Sequence, residues 1–236
     1  PAVPAMHTST VPPAPPLPAK SLRKARFWNR AARRYARAPI ADLPGYERTI
    51  ERVRGLLLPV HEVLELGCGT GSTALRLAPG VRRLVATDVS PDMVAIAREK
   101  LISQSVPQLE FRLADADLSA GPPDGYDAVL AFNLLHLVDD LDHALHNAVK
   151  TLKPGGRLIT KTPCLLEMHP LIPKLALPLM RAVGLAPAVL CLDAALLTSA
   201  MRRQGLRIES VERHGSRTRD YRPFIVAQKT EDALPD

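Results

Sequence analysis

The chain has 236 residues, 46% of them apolar and 23% charged, which suffices for one α/β domain with its own core. Its three cysteines (Cys68, Cys164, Cys191) are widely spaced without a CxxC pair, which argues against a disulfide framework or structural zinc site and makes a reducing cytoplasm the expected setting. The net charge of +7 is concentrated: residues 1–41 hold eight bases and no acid, leaving 23 bases against 24 acids in the remainder.

No apolar run reaches the roughly 18 residues that a membrane span needs. Residues 1–19 contain seven prolines, with neither the basic residues nor the apolar block of a secretory signal, and read as a disordered Pro/Ala-rich arm. From Ser21 to Arg37 the pattern is helical: Ala25, Trp28, Ala32 and Tyr35 share one face, and bases fill much of the rest. A second helix is predicted from Tyr46 to Leu57, ended by Pro59, so that 20–57 form a basic cap.

Beyond it, strands and helices alternate: strand 60–66, helix 71–78, strand 82–87, helix 91–103, strand 109–114, strand 126–132, helix 139–152 and strand 156–162. This order implies an α/β fold, a doubly wound and mostly parallel sheet with helices on both faces. Residues 163–192, rich in proline and leucine, break the rhythm and read as an apolar lid inserted into a domain spanning 58–236. A helix at 193–203 and strands at 206–214 and 223–229 complete the chain; their polar connection can be a hairpin, which makes one sheet edge antiparallel.

The chemistry is concentrated at three strand ends. The apolar strand Val63-Leu64-Glu65-Leu66 runs into Gly67-Cys68-Gly69-Thr70-Gly71, and a helix follows directly. Alternate glycines let a backbone turn sharply and approach a ligand with no Cβ in the way. The dinucleotide fingerprint GxGxxG is not met, because its third glycine position is Ser72. The spacing GxGxG after an acid favours a ligand without a pyrophosphate. The second strand ends at Asp88, placed to accept hydrogen bonds from two ribose hydroxyls, and the third ends at Leu113-Ala114-Asp115-Ala116, where a carboxylate can accept from an adenine amino group.

With Tyr126-Asp127-Ala128-Val129 opening the fourth strand and Leu152-Lys153-Pro154-Gly155-Gly156 before the fifth, these segments resemble the class I S-adenosylmethionine (AdoMet)-dependent methyltransferases. The resemblance covers about 45–162, and the last two strands in outline. It implies a seven-stranded sheet with its last strand antiparallel, AdoMet as cofactor, and methyl transfer. It also implies that Glu65, Gly67, Gly69 and Gly71 line the methionine part, with Cys68 and Thr70 in the same loop. Asp88 would hold the ribose with Val89 and Met93 following it, Asp115 and Ala116 would face the adenine, and Asn133 would lie beside the ligand. A tyrosine at Tyr35 would close over the cofactor. Within the family the chain looks most like the branch that methylates quinones and other small metabolites.

His136, just past the fourth strand, is the candidate general base for acceptors of high pKa; the bland reading is a packing or capping histidine. Cys164 follows the fifth strand, as in RNA cytosine methyltransferases, but the Pro-Cys pair that accompanies it there is missing. In the lid, Leu171, Ile172, Leu175, Leu177, Leu179, Met180 and Val183 supply an apolar surface, and Glu167, His169, Lys174 and Arg181 the polar groups. Leu165, His169, Leu175 and Met180 are the candidate substrate contacts, which suits a small lipophilic acceptor. No cluster has metal-ligand spacing. The basic helix leaves open contact with an anionic membrane surface or with RNA, although aromatic residues, at 4%, leave little for base stacking. The alternatives are an RNA-directed methyltransferase or RNA-binding protein, and a catalytically silent AdoMet-binding subunit. Oligomeric state is not readable.

Overall fold

A computed structural model of the chain describes residues 18–118, 124–167, 179, 187–216 and 220–230. Seven strands form one sheet in the order β3-β2-β1-β4-β5-β7-β6. They are β1 Glu62–Leu66, β2 Arg83–Asp88, β3 Leu109–Leu113, β4 Tyr126–Phe132, β5 Leu152–Lys161, β6 Leu206–Glu212 and β7 Phe224–Lys229. Strands β1 to β5 pair in parallel, and β7 lies antiparallel between β5 and β6. The doubly wound sheet and its antiparallel edge are thus as expected. Because β1 has β2 on one side and β4 on the other, the chain reverses direction there, and a crevice opens at the carboxyl ends of β1 and β4.

Both sheet faces are buried, so the central strands are apolar throughout rather than alternating. Val63, Leu84, Ala86 and Leu130 face one core with Ile50, Val53 and Phe111. Leu64, Val85, Val129 and Leu158 face the other with Leu145, Leu197 and Met201. Full burial of each such side chain contributes on the order of 1.5–3 kcal/mol. The helices are α1 Ala19–Arg37, α2 Leu43–Arg54, α3 Ser72–Leu77, α4 Pro91–Ile102, α5 Leu141–Thr151 and α6 Ala194–Arg203. Ser90, Asp140 and Asp193 cap α4, α5 and α6 by accepting from Met93, His143 and Leu196 amides.

Three boundaries differ from expectation. Helix α1 starts at Ala19, within the segment expected to be a disordered arm; residues 1–17 lie outside the described set. Helix α2 starts at Leu43 rather than Tyr46 and ends at Arg54, because Asp42 accepts from the Gly45 amide and Pro44 fits the first turn. Strand β5 starts at Leu152, not 156. The Lys153-Pro154-Gly155-Gly156 run ends α5 but continues as irregular strand, with a register shift against β4 between Tyr126 and Ala128. Lys153 Nζ holds this bulge 2.9 Å from Asp127. Most of the expected lid falls outside the described residues.

Helix α2 is tied to the antiparallel edge by a polar network. Arg52 Nη2 lies 3.0 Å from Glu212 Oε1, and His214 bridges Glu212 (3.0 Å) and Thr49 (3.1 Å) while its ring packs on Phe224. Burial pushes the Glu212 carboxyl upward, but bonds from Arg52, Ser210 and His214 outweigh it and hold the pKa at about 2.

Candidate active site

At the end of β1 the chain takes left-handed backbone at Gly67, Gly69 and Gly71. A Cβ on Gly71 would sit 2.6 Å from Phe111 Cζ and 2.9 Å from Ala97 Cβ, so that glycine is required by packing of the loop against α4 and β3. A Cβ on Gly69 would meet nothing nearer than Tyr35 Cε1 at 3.8 Å, so Gly69 presents bare backbone to a cleft whose far side is α1. The loop is bracketed to β2: the Cys68 amide donates to the Thr87 carbonyl (2.8 Å) and the Gly69 amide to Asp88 Oδ2 (2.9 Å).

Asp88 is buried at the end of β2, and its Oδ1 accepts from the Ser90 amide at 2.9 Å. Burial pushes its pKa up against those two amide bonds. Each oxygen keeps acceptor capacity toward the cleft. Asp115 is buried at the end of β3 and is met by a cation from α1: Lys24 Nζ lies 3.0 Å from Asp115 Oδ2, 3.4 Å from Asp139, and also bonds Asp117. Burial disfavours the Lys24 ammonium, but its bonds to Asp117 and Asp115 more than offset that and raise its pKa. Beneath the glycine loop, Glu65 is buried with Oε2 unpartnered among the described residues. Burial, with Asp88 nearby, pushes its pKa up to about 8. A carboxyl in that state is protonated at neutral pH and gains from any cation brought close.

At the end of β4, Asn133 adopts a left-handed backbone with φ of 52° while its amide donates to the Lys161 carbonyl at 2.8 Å. Asparagine tolerates that conformation better than most residues. His136 follows in a turn before α5, not on a helix. Its Nδ1 is buried without a partner among the described residues, and burial pulls its pKa down to about 4. The imidazole is therefore neutral across the physiological range. Gly67, Gly69, Asp88, Asp115, Asn133 and His136 border one cleft of about 290 Å³, walled by Trp28, Phe132, Leu134, Leu137, Val138 and Pro163. This combines polar groups at successive strand ends with an apolar wall, the make-up of a small-molecule site.

Residues 64–158, which contain the glycine loop, both aspartates and His136, match the Methyltransf_12 family, described as a methyltransferase domain. The chain contains a class I methyltransferase domain. The class is S-adenosylmethionine-dependent. The chain is 35% identical over 153 residues to the biotin biosynthesis bifunctional protein BioCD of Bordetella avium, covering 63% of this chain and 31% of that protein. It is 34% identical over 106 residues to a ubiquinone biosynthesis O-methyltransferase of Xanthomonas campestris, covering 44% of each. The matched stretches thus span less than half the length of these curated relatives. A SAM-dependent methyltransferase of Thermotoga maritima superposes with a TM-score of 0.64 at 18% identity, over 88% of this chain and 99% of that one, which shows the shared fold.

The methyltransferase domain brings most of the expected site residues together. Tyr35, Gly67, Gly69, Asp88, Val89, Met93, Asp115, Ala116, Asn133 and His136 all border the cleft. Glu65, Cys68, Thr70 and Gly71 do not: Glu65 is buried on β1, and within the loop Cys68 and Thr70 are buried, with Thr70 Oγ1 accepting from Lys100 at 3.0 Å. Leu165 is half-buried in a short 3₁₀ turn, Leu165–Glu167, two residues beyond Pro163 of the cleft wall. His169, Leu175 and Met180, with Leu171, Ile172, Lys174, Leu177, Arg181 and Val183, lie outside the described residues. Cys164 is fully buried, and burial pushes its thiol up to about 12, so it offers no thiolate nucleophile. Among the described residues no His/Cys/Asp/Glu group could hold a metal, and no helix is long and apolar enough to cross a membrane.

Sequence reasoning missed Lys24, Trp28 and the wall Leu134, Leu137, Val138 and Pro163. A signal existed for the first two. Lys24, Trp28 and Tyr35 lie four and seven residues apart, which places them within about 40° on a helix.

Proposed function

We propose that the domain transfers the methyl group of AdoMet to a small, largely apolar acceptor, in a cytoplasmic setting consistent with its three free cysteines. The observation that carries this reading is the single cleft where the open backbone of Gly69, the Asp88 carboxylate and the apolar wall at the end of β4 meet. The residues fit the cofactor. Asp88 keeps acceptor positions for ribose hydroxyls, Asp115 and Ala116 offer an adenine edge, and Val89 and Met93 give a hydrophobic floor. Glu65, an orphaned buried acid behind the loop, suits the positively charged methionine end.

Bound AdoMet supplies an already activated methyl group on a sulfonium, so the protein's share of the work is alignment and exclusion of water. Trp28, Leu134, Leu137 and Val138 present apolar surface to the acceptor and keep the space between reactants dry. His136, a neutral imidazole bordering the cleft, would accept a hydrogen bond from an acceptor N–H or O–H there and hold its proton. The relative named for ubiquinone biosynthesis supports a lipophilic acceptor.

The test is a methyl-transfer assay with radiolabelled AdoMet across lipophilic phenols, quinols, amines and thiols. Turnover of at least one class, reduced about 100-fold by His136→Ala, is expected. A loss under threefold removes His136 from the mechanism, and tight AdoMet binding without turnover of any acceptor means the domain is a cofactor-binding subunit.

A further inference from the structure

Helix α1 has two faces with different work. Ser21, Ala25 and Ala32 pack inward, Lys24, Trp28 and Tyr35 edge the cleft, and Asn29 Oδ1 accepts from Ser90 Oγ at 2.6 Å. The opposite face carries Lys20, Arg23, Arg26, Arg30, Arg33, Arg34 and Arg37. At 3.6 residues per turn these seven fall within an arc of about 140° centred near Arg30. Among the described residues no carboxylate forms an ion pair with any of them, whereas Lys24, on the inner side, has three. Asp92 and Glu99 of α4 share a shallow groove with Arg33 and Arg37, and the other five are exposed to solvent. The rest of the chain is near neutral, so the protein's whole positive excess lies on this one helix face.

We propose that this face docks the protein onto a bilayer containing anionic lipids. The row of cations extends along a helix of 19 residues, about 28 Å, and a straight helix lying flat presents them all to a planar surface at once. Apolar side chains flank the row: Leu22 lies at one border of the arc and Phe27 at the other, and Ile40 and Leu43 are exposed just beyond the helix. Such residues enter the headgroup boundary once the charges have brought the helix there. RNA fits less well, because the arc offers no free aromatic plane for a base; Phe27 is packed edge-on against Trp28 at 5.2 Å. The docked helix is also the one that closes the cleft, so the surface would act on the cover of the site. The docking stands on α1 alone and does not depend on which acceptor is methylated.

The experiment is co-sedimentation of the full chain with vesicles of phosphatidylcholine alone or containing about one-third phosphatidylglycerol. Each basic side chain near an anionic bilayer contributes about fivefold to partitioning. The chain is expected to bind the anionic vesicles and not the neutral ones, and to be released by high salt. Arg23→Gln/Arg26→Gln/Arg30→Gln/Arg34→Gln, four positions outside the cleft, is expected to lose about 600-fold in vesicle binding with AdoMet affinity unchanged. Equal binding to both vesicles, binding to neither, or a single-stranded RNA homopolymer displacing the vesicles from this face would overturn the proposal. Since wild type on two lipid compositions decides the matter, a poorly folded variant does not leave it open. Vesicle binding without methyl transfer would sink the catalytic reading and leave the docking intact.

Discussion

The ammonium of Lys24 lies 3.0 Å from the carboxylate of Asp115, across 91 residues of sequence. This contact fastens the helix that covers the cleft to the strand end that forms its floor. Lys24→Ala removes the contact and leaves Asp115, Asp117 and Asp139 without their shared cation. Charged hydrogen bonds of this kind contribute about 1.5–3 kcal/mol, and the loss falls on local opening of α1 rather than on the global fold. Trypsin cleavage within α1 is expected to accelerate at least tenfold in Lys24→Ala while the melting temperature changes little. Unchanged cleavage would mean the contact does not hold the helix.

The middle and the far end of the glycine loop should respond differently to the same change. Gly71→Ala drives a methyl into Phe111 and Ala97, and overpacking of that sort costs roughly 1–3 kcal/mol, read as a lower melting temperature. Gly69→Ala meets only the open cleft and Tyr35. Beyond the left-handed strain of about 1–2 kcal/mol common to both, it should act mainly on cofactor affinity, by tenfold or more. Melting curves and AdoMet titrations of both variants check this. Equal loss of stability with equal loss of binding would contradict the division.

Much of this loop was legible in advance, because an apolar run ending in alternate glycines has few other uses. Asp88 and Asp115 followed from the strand ends, since a buried strand must finish where a polar residue can face out. The start of β5 was not legible: Lys153-Pro154-Gly155-Gly156 carries every stop signal, and long-range contacts keep that stretch in the sheet, the Lys153–Asp127 pair and the bulge against β4 on one side and bonds from Gln228 to Gly155 and Lys229 to Leu152 on the other. Lys24 was hidden by its own charge. Counted among eight bases it looked solvated, and only the fold shows that three carboxylates from two later loops meet it. The wall of Leu134, Leu137 and Val138 sits in irregular backbone, which carries no periodicity to read.

The buried Glu65 makes cofactor binding pH-dependent. With its pKa pushed up to about 8, it is protonated in the free protein at pH 7. A cationic methionine end favours the ionised form, so binding releases a proton, and affinity should rise with pH until about 8 and then level. Calorimetry in buffers of different ionisation enthalpy measures the released proton directly. Glu65→Gln should abolish both the proton release and the slope; a slope that survives would assign it elsewhere.

Acid should weaken the anchor between α2 and the sheet edge. The Glu212 pKa is held at about 2, below its ordinary value of 4.5. A depressed carboxylate contributes stability that is fully present above its unfolded pKa and is lost as pH falls from there through the folded one. The melting temperature is expected to drop between about pH 4.5 and 2, and Glu212→Gln to flatten that part of the curve while lowering stability at pH 7. A Glu212→Gln curve parallel to wild type would show that other carboxylates govern the acid limb.

The most direct test of the central claim is calorimetric titration of AdoMet into wild type, Asp88→Asn and Asp88→Ala, each with its melting curve. The cleft as described predicts a saturable single site in wild type. In Asp88→Ala it predicts a loss of about 2 kcal/mol, on the order of 30-fold in Kd, with a smaller loss in Asp88→Asn. If folded wild type does not bind AdoMet, or if both variants bind as tightly as wild type, the cofactor site assigned to this cleft is wrong.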